Sequence, residues 1–261
     1  MDEKRSSLAI PVAIIVCILI VVGAFYYQSQ NPSQNLAVEK DSIIAGLGQL
    51  IPEAQGVNVN NFRPVDATDK IRGSINAPIK LVVYTDLECP ACKYYHNQLK
   101  AIEAKYVAAG PVAIVYRDFP LDQLHPQART EFLAAECVGE TGGLEKYWQF
   151  IDTIFELTKS NNGLELAKLG ETVKALNIDT KTFEACMTSK KYADKIQASV
   201  DEAIKLGAPG TPTSILVDNK GNLIPITVAL PAERLSAVFD LLLGTPAQTT
   251  DTTPTASTTA Q

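Results

Sequence analysis

The sequence predicts an α/β domain interrupted by an all-helical block and preceded by a single N-terminal transmembrane helix. Three observations carry this. An uncharged apolar run, Leu8 to Tyr27, stands near the N-terminus. A strand–helix–strand succession runs from Leu81 to Arg117, and a strand–turn–strand–helix succession from Ile215 to Leu243. Between them, from His125 to about Leu206, apolar residues recur at helical spacing throughout.

Residues 8–27 are long enough to cross a bilayer as a helix. Lys4 and Arg5 precede them and no Lys or Arg follows until Lys40. The positive-inside rule therefore puts residues 1–7 in the cytoplasm and the rest outside a bacterial-type cell membrane. Phe25, Tyr26 and Tyr27 would form an outer aromatic belt, and Cys17 an apolar filler in mid-span. The alternative is a cleaved signal peptide over residues 8–24, because Val22-Gly23-Ala24 fits a small-residue cleavage site. Residues 28–60, rich in Gln and Asn, read as a tether; within it Ile43, Ile44, Leu47, Leu50 and Ile51 have helical spacing. The domain proper spans 61–244. A first strand is expected over Asn61–Val65 and a second over Leu81–Tyr84. A helix over Pro90–Ala109 is ended by Gly110-Pro111, and a third strand covers Val112–Arg117. This β-α-β order implies a parallel pair with a crossover helix. The helical insertion, about 125–206, is punctuated by Gly139, Gly142-Gly143, Asn161-Asn162-Gly163 and Asn177. Strands Ile215–Val217 and Leu223–Val228 flank a turn at Asn219-Lys220-Gly221, and a helix from Pro231 to Leu243 closes the domain. Residues 245–261, mostly Thr, Ala, Pro and Gln, lack the apolar groups to fold and are expected to be disordered.

Cys89-Pro90-Ala91-Cys92 sits where the second strand turns into a helix. Pro90 suits the first helical position, where its missing N–H has no partner to lose. That places Cys89 at the N-cap, beside free amide N–H groups and the positive end of the helix dipole, both of which favour a thiolate. Cys92 lies one turn on, on the same face. The chemistry predicted is thiol–disulfide exchange, with Cys89 as solvent-facing nucleophile and Cys92 as resolving thiol. A zinc half-site would want a second pair at short spacing, but Cys17, Cys137 and Cys186 are singletons. An inert staple is a poor reading as well, since so short a loop yields only ~2 kcal/mol of chain entropy.

Downstream, Gly207-Ala208-Pro209-Gly210-Thr211-Pro212 leads into the strand-like run Thr213–Val217. A proline there is a candidate for a cis Thr211–Pro212 bond. With the CxxC at a strand–helix junction and Gly-Thr-Pro-Thr so far downstream, the chain resembles the DsbA-type thiol–disulfide oxidoreductases of the thioredoxin superfamily, in their membrane-anchored, BdbD-like branch. The resemblance covers roughly Phe62 to Leu243. It implies a thioredoxin fold with an inserted all-helical subdomain, and Thr211 and Pro212 at the client-binding edge. Its implied partners are folding secreted proteins, a quinone-linked membrane reoxidase of the DsbB or VKOR type, and the bilayer through residues 8–27. Two departures stand out: Ala91 replaces the His of the DsbA pair, and Val83 stands where DsbA has a buried Glu. Asp86 and Glu88 are the acids nearest the pair, candidate proton acceptors for Cys92, and Lys93 would partly offset their charge. A milder oxidant than DsbA is implied.

Cys137 and Cys186 each share a helical face with apolar residues, so two buried free thiols remain open to them. An oxidising compartment favours a structural disulfide, and the resemblance implies the same pair. His125 is expected to hydrogen-bond at a helix start or to lie near the cleft; His96 is too far from Cys89 for contact; Tyr147 and Trp148 read as core. A net charge of −6 argues against nucleic acid. No phosphate-cradling glycine loop or metal-ligand cluster is present in the sequence, so neither cofactor nor metal is expected. Three functions follow: an extracytoplasmic oxidase, a reductase or isomerase using the same exchange, and a non-catalytic binding module, which the intact CxxC disfavours.

Overall fold

The structure, a computed structural model, describes residues 45–52 and 54–244. The predicted span over 8–27, most of the tether and the Thr-rich tail lie outside the described residues, and no described helix is long and apolar enough to cross a membrane. The chain divides into two units, residues 1–49 and 50–261. Of the first, residues 45–49 are helical.

The second unit contains a five-stranded sheet: β1 (Lys70–Arg72), β2 (Ile79–Thr85), β3 (Val112–Asp118), β4 (Thr213–Val217) and β5 (Leu223–Ile226), in the order β1-β3-β2-β4-β5. The β2–β3 pair is parallel, in register Val83 to Tyr116 and Thr85 to Asp118; the other pairs are antiparallel. Helix α1 (Pro90–Tyr106) makes the crossover from β2 to β3. Between β3 and β4 lie α2 (Ala128–Leu157), α3 (Ala167–Ala175), α4 (Thr180–Ser189) and α5 (Ala193–Lys205), and α6 (Ala232–Leu243) is the last described helix.

One correction concerns the first strand. Residues 59–61 form a 3-10 turn and 62–65 carry no strand pairing, while β1 falls at Lys70-Ile71-Arg72. Only Ile71 of that triplet is apolar, which hid it. Its flanking cations are used instead of solvated: Lys70 pairs with Glu136 at 3.1 Å, and Arg72 with Glu103 at 2.9 Å and Asp152 at 2.6 Å. The other expected elements appear with shifted ends: α1 stops at Tyr106 and β5 at Ile226, whereas β2 runs from Ile79 to Thr85, β3 reaches Asp118 and β4 begins at Thr213.

Strand alternation sends Ile71, Val82, Tyr84, Val115 and Ile215 to one face, where Val200, Ala203 and Leu206 of and after α5 cover them. The predicted insertion thus ends in a helix that belongs to the central core. On the other face α1 packs beside α6, with the Tyr106 and Phe239 rings edge-on at 5.2 Å. Two glycines are required by geometry. Gly143, at φ 83°, breaks the direction of α2. Gly207, at φ 73°, brings the chain so close to the Gly56 carbonyl that a Cβ would lie 2.3 Å from its oxygen.

Candidate active site

Strand β2 is buried over nearly its whole length and delivers the turn Asp86-Leu87-Glu88 to the sheet end. Cys89 then caps α1 in an extended conformation, φ −78° and ψ 124°, with Pro90 as the first helical residue. The turn is closed by the Cys89 N–H donating to the Asp86 carbonyl at 3.2 Å. Both cysteines are free thiols. Cys89, expected to face solvent, is only 7% exposed, and Cys92 is 1% exposed. Pro90 and Ala91, the residues between them, are the exposed rim.

Cys89 is shielded by the loop before β4. Thr211–Pro212 is a cis peptide, and Cys89 Sγ lies 3.4 Å from the Thr211 carbonyl oxygen, to which it donates in its thiol form. The two sulfurs differ in acidity. A hydrogen bond from Cys92 lowers Cys89 to about 6 against the opposing effect of burial, with help from Thr211 and the Cys92 and Ala91 amides. Burial pushes Cys92 well up, and the neighbouring Cys89 charge adds to it, opposed by the Thr85 hydroxyl and the Asp86 amide. At neutral pH the pair holds one thiolate, on Cys89, and one proton, on Cys92.

Asp86 and Glu88 are fully buried. Their carboxylates are committed elsewhere than to Cys92. Asp86 accepts from the Leu121 amide at 2.7 Å and the Glu88 amide at 2.8 Å, and meets His125 Nδ1 at 2.9 Å. Only its backbone N–H reaches the Cys92 sulfur, at 3.4 Å. Glu88 accepts from the Thr158 hydroxyl and the Gly163 amide, both at 3.0 Å, and its carbonyl from Asn161 N–H at 2.8 Å. Ser160, Asn161 and Asn162 are held in the left-handed region at φ 52–63° in this wrap. Lys93 donates to the carbonyl oxygens of Thr158, at 2.5 Å, and Glu156, at 3.2 Å, which ties it to this loop. The expected proton-acceptor role for Asp86 and Glu88 therefore has no direct contact behind it.

Sequence reasoning missed Thr85, the 158–163 loop and Glu131. Glu131 is fully buried in the first turn of α2, beside Glu88. Burial, then the Glu88 carboxylate, push it up to about 10, so it carries a proton at neutral pH. The available signal was an acid sharing a helical face with Ala128, Ala134, Ala135 and Val138. His96 is remote from the cysteines: its Nδ1 meets the Tyr116 hydroxyl at 2.8 Å, its Nε2 meets Asp152 at 3.2 Å, and its ring stacks on Phe155. Tyr147 and Trp148 are buried. Cys137 and Cys186 are joined, with Cα atoms 5.7 Å apart, linking α2 to α4. Among the described residues no cluster of His, Cys, Asp or Glu has the arrangement of a metal site.

A family model described as Thioredoxin matches residues 66–228, more than half of the chain. The chain belongs to the thioredoxin family. Among solved structures it is similar to Pseudomonas aeruginosa DsbA2, at 27% identity and a TM-score of 0.55, covering 69% of this chain and 97% of that one. Among curated proteins it is 30% identical over 190 residues to a Na(+)/H(+) antiporter, NhaA 3, of Salinispora tropica. That match takes in 72% of this chain but only 28% of the antiporter's length. It is also 22% identical to a probable disulfide bond formation protein D of Bacillus anthracis, over 85% of this chain and 93% of that protein. The likeness to DsbA-type structures and the closely spaced Cys89–Cys92 pair support thiol–disulfide oxidoreductase activity for this thioredoxin-family chain.

Proposed function

We propose that the chain is a membrane-tethered, extracytoplasmic oxidase that passes the Cys89–Cys92 disulfide to secreted or membrane proteins as they fold. The observation that carries this reading is the Cys89–Cys92 pair at the start of α1, with Cys89 Sγ 3.4 Å from the carbonyl of Thr211 before the cis Pro212, and burial raising Cys92 while Cys89 is lowered. In the oxidised chain a client thiolate attacks Cys89 Sγ. The Cys89–Cys92 bond breaks, and its electron pair leaves on Cys92, which takes up a proton. A second client thiolate then attacks the client sulfur of the mixed disulfide, and the electron pair leaves on Cys89. The products are a client disulfide, the Cys89 thiolate and the Cys92 thiol. The low Cys89 value makes it the better leaving group in the second step.

Thr211 and the buried Pro212 stand beside Cys89, where the Thr211 main chain can pair with an extended client as an added strand pairs with a sheet edge. Exposed Pro90 and Ala91 leave room for that client above the cysteines. Reoxidation by a quinone-linked membrane partner of the DsbB or VKOR type would complete the cycle, and residues 8–27 would hold both proteins in one bilayer. No cofactor or metal enters these steps.

Two measurements test the reading. Cys92→Ala should accumulate mixed disulfides with clients and Cys89→Ala should not; trapping only in the Cys89 variant reverses the roles. Thiol alkylation in cells should find Cys89 and Cys92 oxidised at steady state. A mostly reduced pair, with a potential near that of glutathione or below, assigns the chain to reduction or isomerisation.

A further inference from the structure

His125 has no part in the exchange steps, yet it is one of the few buried ionisable groups beside them. It is carried on the loop between β3 and α2 and is 5% exposed. Its Nδ1 lies 2.9 Å from Asp86 Oδ2. Asp86 in turn heads the turn that ends at Cys89, since its carbonyl accepts the Cys89 N–H and its carboxylate the Glu88 N–H. The imidazole is therefore clamped to the same three-residue turn that presents the sulfur. The Asn161 side chain, from the loop after α2, also favours its charged form. A ring bonded to a carboxylate is favoured as imidazolium.

The Asp86 carboxylate makes this pairing consequential. A buried carboxylate three residues before a nucleophilic cysteine, left alone, would oppose a thiolate there. We propose that His125, fixed by Asp86, is the cationic group that cancels this charge and sustains the Cys89 thiolate, with Asp86 as its positioning residue. The inference rests on the reading of Cys89 as the exchanging sulfur. The other charges around the ring are accounted for. Glu88 is bonded to Thr158 and Gly163, Glu131 carries a proton, Lys93 is held by backbone carbonyls, and Arg129 is paired with Asp122 at 2.6 Å. The His125 value is itself raised: Asp86 and the Cys89 charge outweigh burial, which acts the other way and is the largest single influence.

The linkage is reciprocal, so it can be read from either side. The sequence has two histidines, and His96, locked against Tyr116, Asp152 and Phe155, serves as an internal control. In an NMR titration of the wild-type chain, the His125 midpoint should fall when Cys89 is oxidised and the His96 signal should not respond. On the sulfur side, the alkylation rate of Cys89 is followed against pH by peptide mass spectrometry. His125→Asn keeps a donor for Asp86 but removes the charge. It should raise the Cys89 midpoint by about one unit, which at pH 6 is roughly a five-fold loss of thiolate. Adding Asp86→Asn to it should return the midpoint towards the wild-type value, a coupling that a merely structural role would not produce. An unchanged His125 midpoint in both redox states, or an unchanged Cys89 midpoint in folded His125→Asn, overturns the proposal. Loss of client oxidation by a wild-type chain whose Cys89 still responds to His125 overturns the oxidase reading instead.

Discussion

Glu131 shows what a single buried acid does to the pH dependence of this chain. Free Glu titrates near 4.5, whereas Glu131 in the fold holds its proton up to about 10. Between these values the unfolded chain binds fewer protons than the folded one, so this residue's contribution makes stability fall as pH rises. Glu131→Gln keeps a neutral, hydrogen-bonding group in place and removes that slope. Its melting temperature should match wild type near pH 4 and exceed it progressively from pH 6 to 9. Parallel curves for the two proteins would show that Glu131 is ionised in the fold. At this scale the sequence was legible for the cysteines, because an N-cap position and an N1 proline are local features. It was not legible for Glu131, Thr85 or Thr158, which reach the site from distant segments and mean nothing until the chain is folded. His125 was half legible: its place before a helix was plain, but not its partner Asp86.

Among the elements, β3 is tied to its surroundings through Arg117, buried on the α5 face of the sheet. Its guanidinium makes a bidentate pair with Asp69, both distances 3.0 Å, and meets Glu202 of α5 at 2.6 Å and the Tyr84 hydroxyl at 3.0 Å. The cation is thereby shared by the turn before β1, by β2 and by α5. Asp69→Ala leaves it with one carboxylate in a largely buried site, and breaking a buried pair of this kind costs about 3–5 kcal/mol. Denaturant unfolding should show a loss at the lower end of that range, because Glu202 remains. A loss below about 1 kcal/mol would place the pair among exposed ones, which contribute that little. The same network explains why β1 was misplaced by sequence reading. Phe62 and Val65 look like a strand by residue type, but Arg63 between them is drawn to Asp69 at 2.7 Å, and Pro64 cannot donate to a ladder. The core strands β2, β3 and β4 were legible because continuous apolar runs with β-branched residues announce buried strands.

For the molecule as a whole, the Cys137–Cys186 bridge is the disulfide among the described residues, joining residues 49 apart within the helical insertion. Closing a loop of that size restricts the unfolded chain by ~4 kcal/mol on the entropy model. The double variant Cys137→Ala/Cys186→Ala should lose stability of that order in chemical denaturation while Cys89 alkylation at neutral pH stays as in wild type. A change confined to Cys89 reactivity would mean that the bridge acts on the site rather than on the fold. The insertion is nevertheless joined to the sheet by more than this internal bridge. Glu88, just before the reactive cysteine, is satisfied by Thr158 and Gly163, and Arg117 depends on Glu202, all three partners lying inside the insertion. Excising residues 126–206 would therefore strip a buried carboxylate in the redox turn and part of a buried guanidinium on β3 of their partners. In recombination among relatives, natural or engineered, the heritable block is thus the insertion together with positions 88 and 117. A chimaera that exchanged the helices alone should misfold at the active site, because positions 88 and 117 lie outside the exchanged segment and lose their partners within it.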